Sequence, residues 1–189
     1  MKLCTAMMFD GNAERMAQKV VDLEAAGVDM VLIPEIYGFD QMSVLGYIAA
    51  KTERIELMTG IVNVFSRSPA LIAQSAATID ALSNGRFTLG IGTSGAQVIE
   101  GWHGTPFKRP LGLTRDVVEI CRKVWTGDKV THEGKAVTLP LPADEGTGLG
   151  KPLKFMNRIH RPNIPIVIAS IGPSNVKMTA EIADGWQPI

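Results

Sequence analysis

Gly90-Ile91-Gly92-Thr93-Ser94-Gly95 is a G-x-G-x-x-G run that directly follows an apolar segment. Glycines at such a place let backbone N–H groups approach an anion, and the Thr93 and Ser94 hydroxyls add donors. A dinucleotide fingerprint would open straight into a helix and would sit in the first strand–helix–strand unit. Here the preceding strand is the fourth along the chain, and residues 96–110 read as a loop. The run is therefore an anion cradle or a tight turn. An NAD-binding Rossmann protein, the remaining reading, predicts a helix that starts at Gly95.

Other side chains offer chemistry singly. Glu35 follows the apolar run 30–33 and Pro34, so its carboxylate is either exposed at a strand end or held against a ligand. To act as a base it would need a raised pKa. His103, between Trp102 and Gly104, is either a solvated or structural loop residue or part of a substrate pocket. Trp102 is a packing anchor or a ring contact. His132, beside a hairpin turn, and His160, in the basic stretch 158–161, read as surface residues. No two histidines and no histidine–carboxylate pair stand at ligand spacing, so no metal site is expected. No G-x-S-x-G nucleophile elbow occurs. Cys4 and Cys121 lie in apolar periodic segments and read as small buried hydrophobes in a reducing compartment. Met7-Met8 reads as core filling.

The elements that must carry these residues alternate. Apolar runs at 3–9, 30–33, 55–62, 87–91 and 166–169 have the length and two-sided apolarity of buried parallel strands. Helical periodicity fills the gaps: 13–26 with Asp10 or Asn12 as cap and Gly27 past the end, 43–50, 69–82 behind Ser68-Pro69, 114–125 before Gly127, and 174–183. Residues 184–189 read as the approach to a sixth strand. Residues 129–139 alternate across Glu133-Gly134 as a small β-hairpin insertion, and 143–154 form a Gly- and Pro-rich surface loop.

Strand–helix alternation implies a parallel sheet, open and doubly wound or closed as a barrel. The expectation is a (β/α)8 TIM barrel forming one domain over 1–189, truncated after about five strand–helix units and the start of a sixth strand. A full barrel of this kind takes about 250 residues. The chain has 189 residues, equal numbers of acidic and basic side chains, and scattered Lys and Arg. It thus offers no basic stripe for nucleic acid and no polybasic membrane anchor. No apolar run reaches the ~20 residues of a membrane helix, and the N-terminus lacks signal-peptide character. A cytoplasmic protein is expected.

The run Ser83-Asn84-Gly85-Arg86-Phe87-Thr88-Leu89-Gly90-Ile91-Gly92-Thr93-Ser94-Gly95, continued by Gln97-Val98-Ile99-Glu100-Gly101-Trp102-His103-Gly104, resembles the bacterial-luciferase-like monooxygenase family. The similarity is to its branch that uses the deazaflavin coenzyme F420. Pro34-Glu35, Arg67-x-Pro69-Ala70, Ala169-x-x-Gly172-Pro173 and Glu181-Ile182-Ala183-Asp184-Gly185-Trp186 fall where that family has similar motifs. The resemblance implies a cofactor ring lying across the carboxyl ends of the barrel strands. It places an acid near the ring at Glu35; the histidine that follows in some members is Ile36 here. It places ring contacts at Gly60, Ile61 and Asn63, with a non-proline cis peptide between Gly60 and Ile61. Phosphate contacts fall on Thr93, Ser94, Gly95 and Gln97, and a second cofactor segment on Ile171 and Gly172. The implied activity is hydride transfer between F420 and a small organic substrate, with Glu35 and His103 as catalytic candidates and a possible homodimer as the assembly. A reduced-FMN monooxygenase is the alternative enzyme, and a non-catalytic truncated fragment the alternative of another class.

Overall fold

The computed structural model describes residues 2–188, so Met1 and Ile189, the ends of the expected domain, lie outside the described residues. The chain runs through β1 (Cys4–Ala6), α1 (Ala13–Ala25), β2 (Met30–Ile33), α2 (Gln41–Ala49), β3 (Glu56–Thr59), β4 (Val62–Asn63), α3 (Pro69–Leu82) and β5 (Phe87–Gly92). A short α4 (Ala96–Gly101), α5 (Pro110–Trp125), hairpin strands β6 (His132–Glu133) and β7 (Thr138–Leu139), β8 (Ile166–Ala169), α6 (Pro173–Ile182) and β9 (Gly185–Gln187) follow.

Side-chain caps set three helix starts. Asn12, Asp40 and Ser68 each accept the N–H three residues on, and Pro69 follows Ser68 at the first helical position. Asn12 rather than Asp10 is thus the first cap, and α2 begins at Gln41, ahead of the expected 43. Helix α5 begins at Pro110, four residues earlier than its apolar stripe indicates, because proline's fixed φ suits a first turn.

The strands pair in parallel in the order β1-β2-β3-β5-β8-β9, with β4 also beside β5. That order follows the chain without reversal, whereas a doubly wound sheet reverses at a switch point. The helices contact one another in the same succession, α1 with α2, α2 with α3, α3 with α5 and α5 with α6. The result is a curled sheet with helices on its outer face, part of a (β/α)8 barrel. This order removes the Rossmann reading even though a helix does open directly after Gly95. The expected loop at 96–110 is corrected accordingly, since its first six residues are α4.

On the helix-facing side Val31, Ile33, Leu57, Leu89, Ile91, Ile166 and Ile168 are at most 1% exposed. The opposite, concave side carries Met30, Leu32, Met58, Thr88 and Val167 around an open cavity of about 740 Å³. Cys4 also lines this cavity and is exposed, contrary to the expectation of burial: β1 is a sheet edge, and Cys4 turns away from the helices. Cys121 is buried as expected, and burial pushes its thiol up to about 12. Met8 is exposed, so of the Met7-Met8 pair only Met7 packs against the core.

The apolar run 55–62 is not one strand. Met58 stands opposite Thr88 and Val62 opposite Ile91, so residues 59–61 face only residues 89 and 90 across the ladder. The additional residue falls at the Gly60–Ile61 peptide, which is cis as the family resemblance implies. The Thr59 hydroxyl occupies the interrupted ladder, donating to the Gly90 carbonyl at 2.8 Å and accepting the Gly90 N–H at 2.8 Å. A Cβ on Gly90 would collide with the Thr59 carbonyl oxygen, so this close approach requires glycine. Side chains alternate along a strand, so one inserted residue reverses which of them face inward beyond it.

The hairpin insertion forms as expected, with His132 opposite Leu139 and Glu133 opposite Thr138. It is held to α5 by the Asp116 carboxylate, which accepts the N–H groups of Lys135, Ala136 and Val137 at 3.3, 2.7 and 2.9 Å. Docking turns His132 inward. It is buried 3.3 Å from Asp116, a correction to its expected surface position that no local pattern reveals. His160 is exposed as expected.

Thr59→Val keeps the side-chain shape and leaves the Gly90 N–H and C=O buried without partners. It is expected to cost about 2–4 kcal/mol, with Thr59→Ser restoring most of it; urea unfolding of the two variants measures this.

Candidate active site

The carboxyl ends of the parallel strands bring most of the sequence-derived candidates to one rim. Glu35 stands two residues beyond β2, Gly60 and Ile61 form the link between β3 and β4, and Asn63 lies on β4. Thr93 to Gly95 and Gln97 lead from β5 into α4, and Ile171 and Gly172 lead from β8 into α6. Gly92 ties these segments together. The site of its missing Cβ is 3.2 Å from the Ile61 side chain and 3.3 Å from the Ala169 Cβ, so a side chain there would push these neighbours back by a few tenths of an ångström. Gly60 is closed more tightly, by Leu32.

Glu35 is not a free carboxylate. Arg67 grips both its oxygens, Nη1 to Oε2 at 2.7 Å and Nη2 to Oε1 at 2.8 Å, with both side chains largely buried. Arg67 also pairs with Asp40. The fully buried Gln41 donates from Nε2 to Glu35 Oε2 at 3.1 Å and to the Ile61 carbonyl at 2.9 Å. An arginine fork on a carboxylate fixes orientation as well as charge. Glu35 therefore anchors a network that ends on the carbonyl beside the cis peptide, and its lone pairs are already engaged. Hydrogen bonding to Glu35, ahead of the opposing effect of burial, lifts the Arg67 pKa above the ordinary arginine value. Burial alone would raise the Asp40 pKa, but the Ser43 hydroxyl and N–H and the Arg67 charge hold it below the usual value.

Arg67, Asp40 and Gln41 were not among the candidate residues. One signal pointed to Arg67: it is the only Lys or Arg between Arg54 and Arg86, and a carboxylate at a buried strand end needs a cation. Asp40 and Gln41 look like an ordinary helix start.

His103 comes back over the rim to Asn63, whose Nδ2 lies 3.3 Å from His103 Nε2. Asn63 is 3% exposed, and its Oδ1 accepts the Phe65 N–H at 3.0 Å. Around them the rim is apolar and open: Ile36, Tyr37, Phe39, Trp102 and Ile171 are all exposed, with Tyr37 and Trp102 6.3 Å apart between ring centres. Trp102 is thus a surface aromatic rather than a buried anchor.

Ser94 has φ 56°, the left-handed turn that directs the chain into α4, and the Thr93 hydroxyl donates to the Ser94 carbonyl at 3.2 Å. The Gln97 side chain folds back over Gly95. Helices α4 and α6 begin at glycine caps, Gly95 and Gly172, with no side-chain oxygen on their first N–H groups. Helix N-termini carry partial positive charge, and both are at the rim. Among the described residues no cluster of three or more His, Cys, Asp or Glu could hold a metal ion. No described helix is long and apolar enough to cross a membrane.

Glycines, polar side chains and the starts of α4 and α6 thus share one rim. Fold and rim together define a (β/α)-barrel protein whose functional face lies at the carboxyl ends of its strands. Within that class the chain belongs to the luciferase-like monooxygenase family, which matches residues 5–189. It is 42% identical over 174 residues to the "Putative coenzyme F420-dependent oxidoreductase" Rv3520c of Mycobacterium tuberculosis, covering 92% of this chain and 50% of that one. The structure of the coenzyme F420-dependent tetrahydromethanopterin reductase from Methanopyrus kandleri superposes with a TM-score of 0.83 at 26% identity, over 98% of this chain and 55% of that one. A type II Baeyer–Villiger monooxygenase of Pseudomonas putida in complex with FMN shares the fold, with a TM-score of 0.75 at 18% identity, over 98% of this chain and 56% of that one. The chain thus spans about half the length of the relatives it matches.

Two outcomes follow from the rim charges. Arg67→Met leaves Glu35 without its cation and is expected to cost about 2–3 kcal/mol, less than a fully buried pair because of residual exposure. Adding Glu35→Gln should recover part of that loss in a double-mutant unfolding cycle. Asp40 has a folded pKa below its unfolded value, so its stabilisation is complete above about pH 4 and is lost as the pH falls through the folded value. Asp40→Asn keeps a cap on α2 and should flatten the acid limb of stability against pH, read by denaturant melts at a series of pH values.

Proposed function

We propose that this chain carries the cofactor rim of an F420-dependent oxidoreductase that transfers hydride between the deazaflavin and a small organic substrate. One observation carries the reading: the glycines Gly60, Gly92, Gly95 and Gly172 share the carboxyl ends of the strands with the Asn63–His103 pair, and Gly95 and Gly172 start their helices without side-chain caps. The kinship to F420-dependent relatives supports it, and since the chain spans half their length, the activity of the whole protein is part of the proposal.

When bound, the deazaflavin supplies the redox chemistry, accepting or donating hydride at its ring. The chain's part is to hold and orient. The Ile61 carbonyl, kept in place by Gln41, and the Asn63 amide border the ring's bed. Thr93, Ser94, Gly95 and Gln97 on one side, with Ile171 and Gly172 on the other, offer hydroxyl, amide and backbone N–H donors to the anionic tail. Ile36, Tyr37 and Trp102 supply apolar surface that keeps water off a small organic substrate. Glu35 acts through Arg67 and Gln41, as the anchor of the bed. A cytoplasmic location and a homodimer, to which the exposed Tyr47, Leu71 and Leu82 of α2 and α3 would contribute, belong to the same proposal.

A reduced-FMN monooxygenase is the second reading, favoured by the FMN-bound structure that shares the fold. Fluorescence titration of the purified chain with F420 and with FMN separates the two. Gly172→Asp sharpens the test, because its Cβ enters open space and aspartate caps α6 while placing a negative charge where the tail would sit. The expected result is preferential F420 binding that weakens about tenfold in Gly172→Asp, roughly 1.4 kcal/mol, in a protein at least as stable. Selective FMN binding, no binding of either, or an affinity indifferent to Gly172→Asp would overturn the reading; no binding would leave the non-catalytic fragment.

A further inference from the structure

The amide of Asn63 has one admissible orientation. Its Oδ1 accepts the Phe65 N–H at 3.0 Å; turned over, its NH2 would face that N–H, donor against donor. With Oδ1 so placed, Nδ2 is aimed at His103 Nε2, 3.3 Å away. An amide NH2 only donates, so Nε2 accepts and carries no proton. A neutral imidazole whose lone pair is on Nε2 carries its hydrogen on Nδ1.

We propose that Asn63 is a positioning residue that fixes His103 as the neutral Nδ1–H tautomer, making His103 a hydrogen-bond donor at the rim rather than a base through Nε2.

Two features of the fold make this a built arrangement. The residue inserted between β3 and β4 sets Asn63 opposite Gly92 on the rim side of the sheet, and Asn63 is nearly inaccessible there. The main chain of His103 is held as well, its backbone N–H donating to the Val98 carbonyl at 3.3 Å at the end of α4. The ring thus has one nitrogen occupied by a rigid partner and one N–H to offer. An oxygen acceptor suits that N–H, such as the carbonyl or hydroxyl oxygen of an organic substrate. This use of the donor rests on the function proposed above, whereas the tautomer itself is a property of the chain alone.

A long-range proton–nitrogen correlation spectrum of the histidine-labelled protein reads the tautomer directly. The chain has three histidines, and His103→Gln identifies the signals of His103 by their loss. The expected spectrum shows an unprotonated Nε2 and a protonated Nδ1, the reverse of the form that free neutral histidine prefers in water. In Asn63→Asp the carboxylate keeps the Phe65 N–H bond and turns an acceptor towards Nε2. The tautomer should then change to Nε2–H, since an acceptor now faces that nitrogen. The signals of His132 and His160 should not move, reporting an intact fold. A protonated Nε2 in the native protein overturns the proposal, as does a tautomer unchanged in Asn63→Asp; if that variant does not fold, the native spectrum alone decides. Nδ1–H together with failure to bind F420 would remove the proposed function and leave this inference standing, and Nε2–H with F420 binding would do the opposite.

Discussion

The single hydroxyl of Thr59, bonded to both polar groups of Gly90, is what the rim depends on. Where β3 gives way to β4 the ladder to β5 carries one residue too many, and two buried backbone groups of Gly90 would otherwise lack partners. Thr59 satisfies both, and the absence of a side chain on Gly90 lets the two strands come close enough for it to do so. Beyond this point the inward and outward positions are exchanged. Val62 is fully buried, and Asn63 reaches His103. A regular strand through the same residues would have put Asn63 on the helix side, away from any ligand.

The two ends of the curled sheet use charge differently. At the amino ends, charged groups close the fold. Glu24 accepts the N–H groups of Glu53, Arg54 and Ile55; burial opposes its ionisation, but these bonds hold its pKa below the ordinary value. Arg86 donates to Ser83, Ala49, Thr52 and Ile55, and the fully buried Asp80 pairs with Arg161. Most of these bonds end on backbone carbonyls and amides at the turns and so hold the turns in place. At the carboxyl ends the Glu35–Arg67–Asp40 set is paired internally, and through Gln41 it reaches the Ile61 carbonyl on the rim floor. The groups still able to serve a ligand are mostly small: backbone at glycines, hydroxyls, and one ring N–H.

Much of this was legible beforehand because it is local. Five strand segments and the main helices follow from apolar period, and Ser68-Pro69 marks its helix start without ambiguity. The β3–β4 break has only a weak local sign, a glycine at Gly60, and a strand carrying a single glycine can equally run on without interruption. Helix α4 was hidden because six residues are too few to display a period. The burial of His132 depends on Asp116, sixteen positions earlier, gathering three N–H groups of the hairpin. The exposure of Cys4 depends on its facing the open concave cavity from a strand that, among the described residues, pairs on one side.

The sequence by itself determined the alternation of strand and helix, the glycine and hydroxyl positions at the strand ends, and through its motifs the family. Those are properties of residues a few positions apart, where side-chain period and backbone freedom act directly. Only the tertiary structure decided that Glu35 is gripped by Arg67, that Asn63 meets His103, and that the sheet winds in one direction. These pairings join residues 32 and 40 positions apart through the curl of the sheet. Which partner a polar group finds depends on strand register and inward–outward parity, quantities that a single inserted residue can reverse and that no stretch of sequence carries alone.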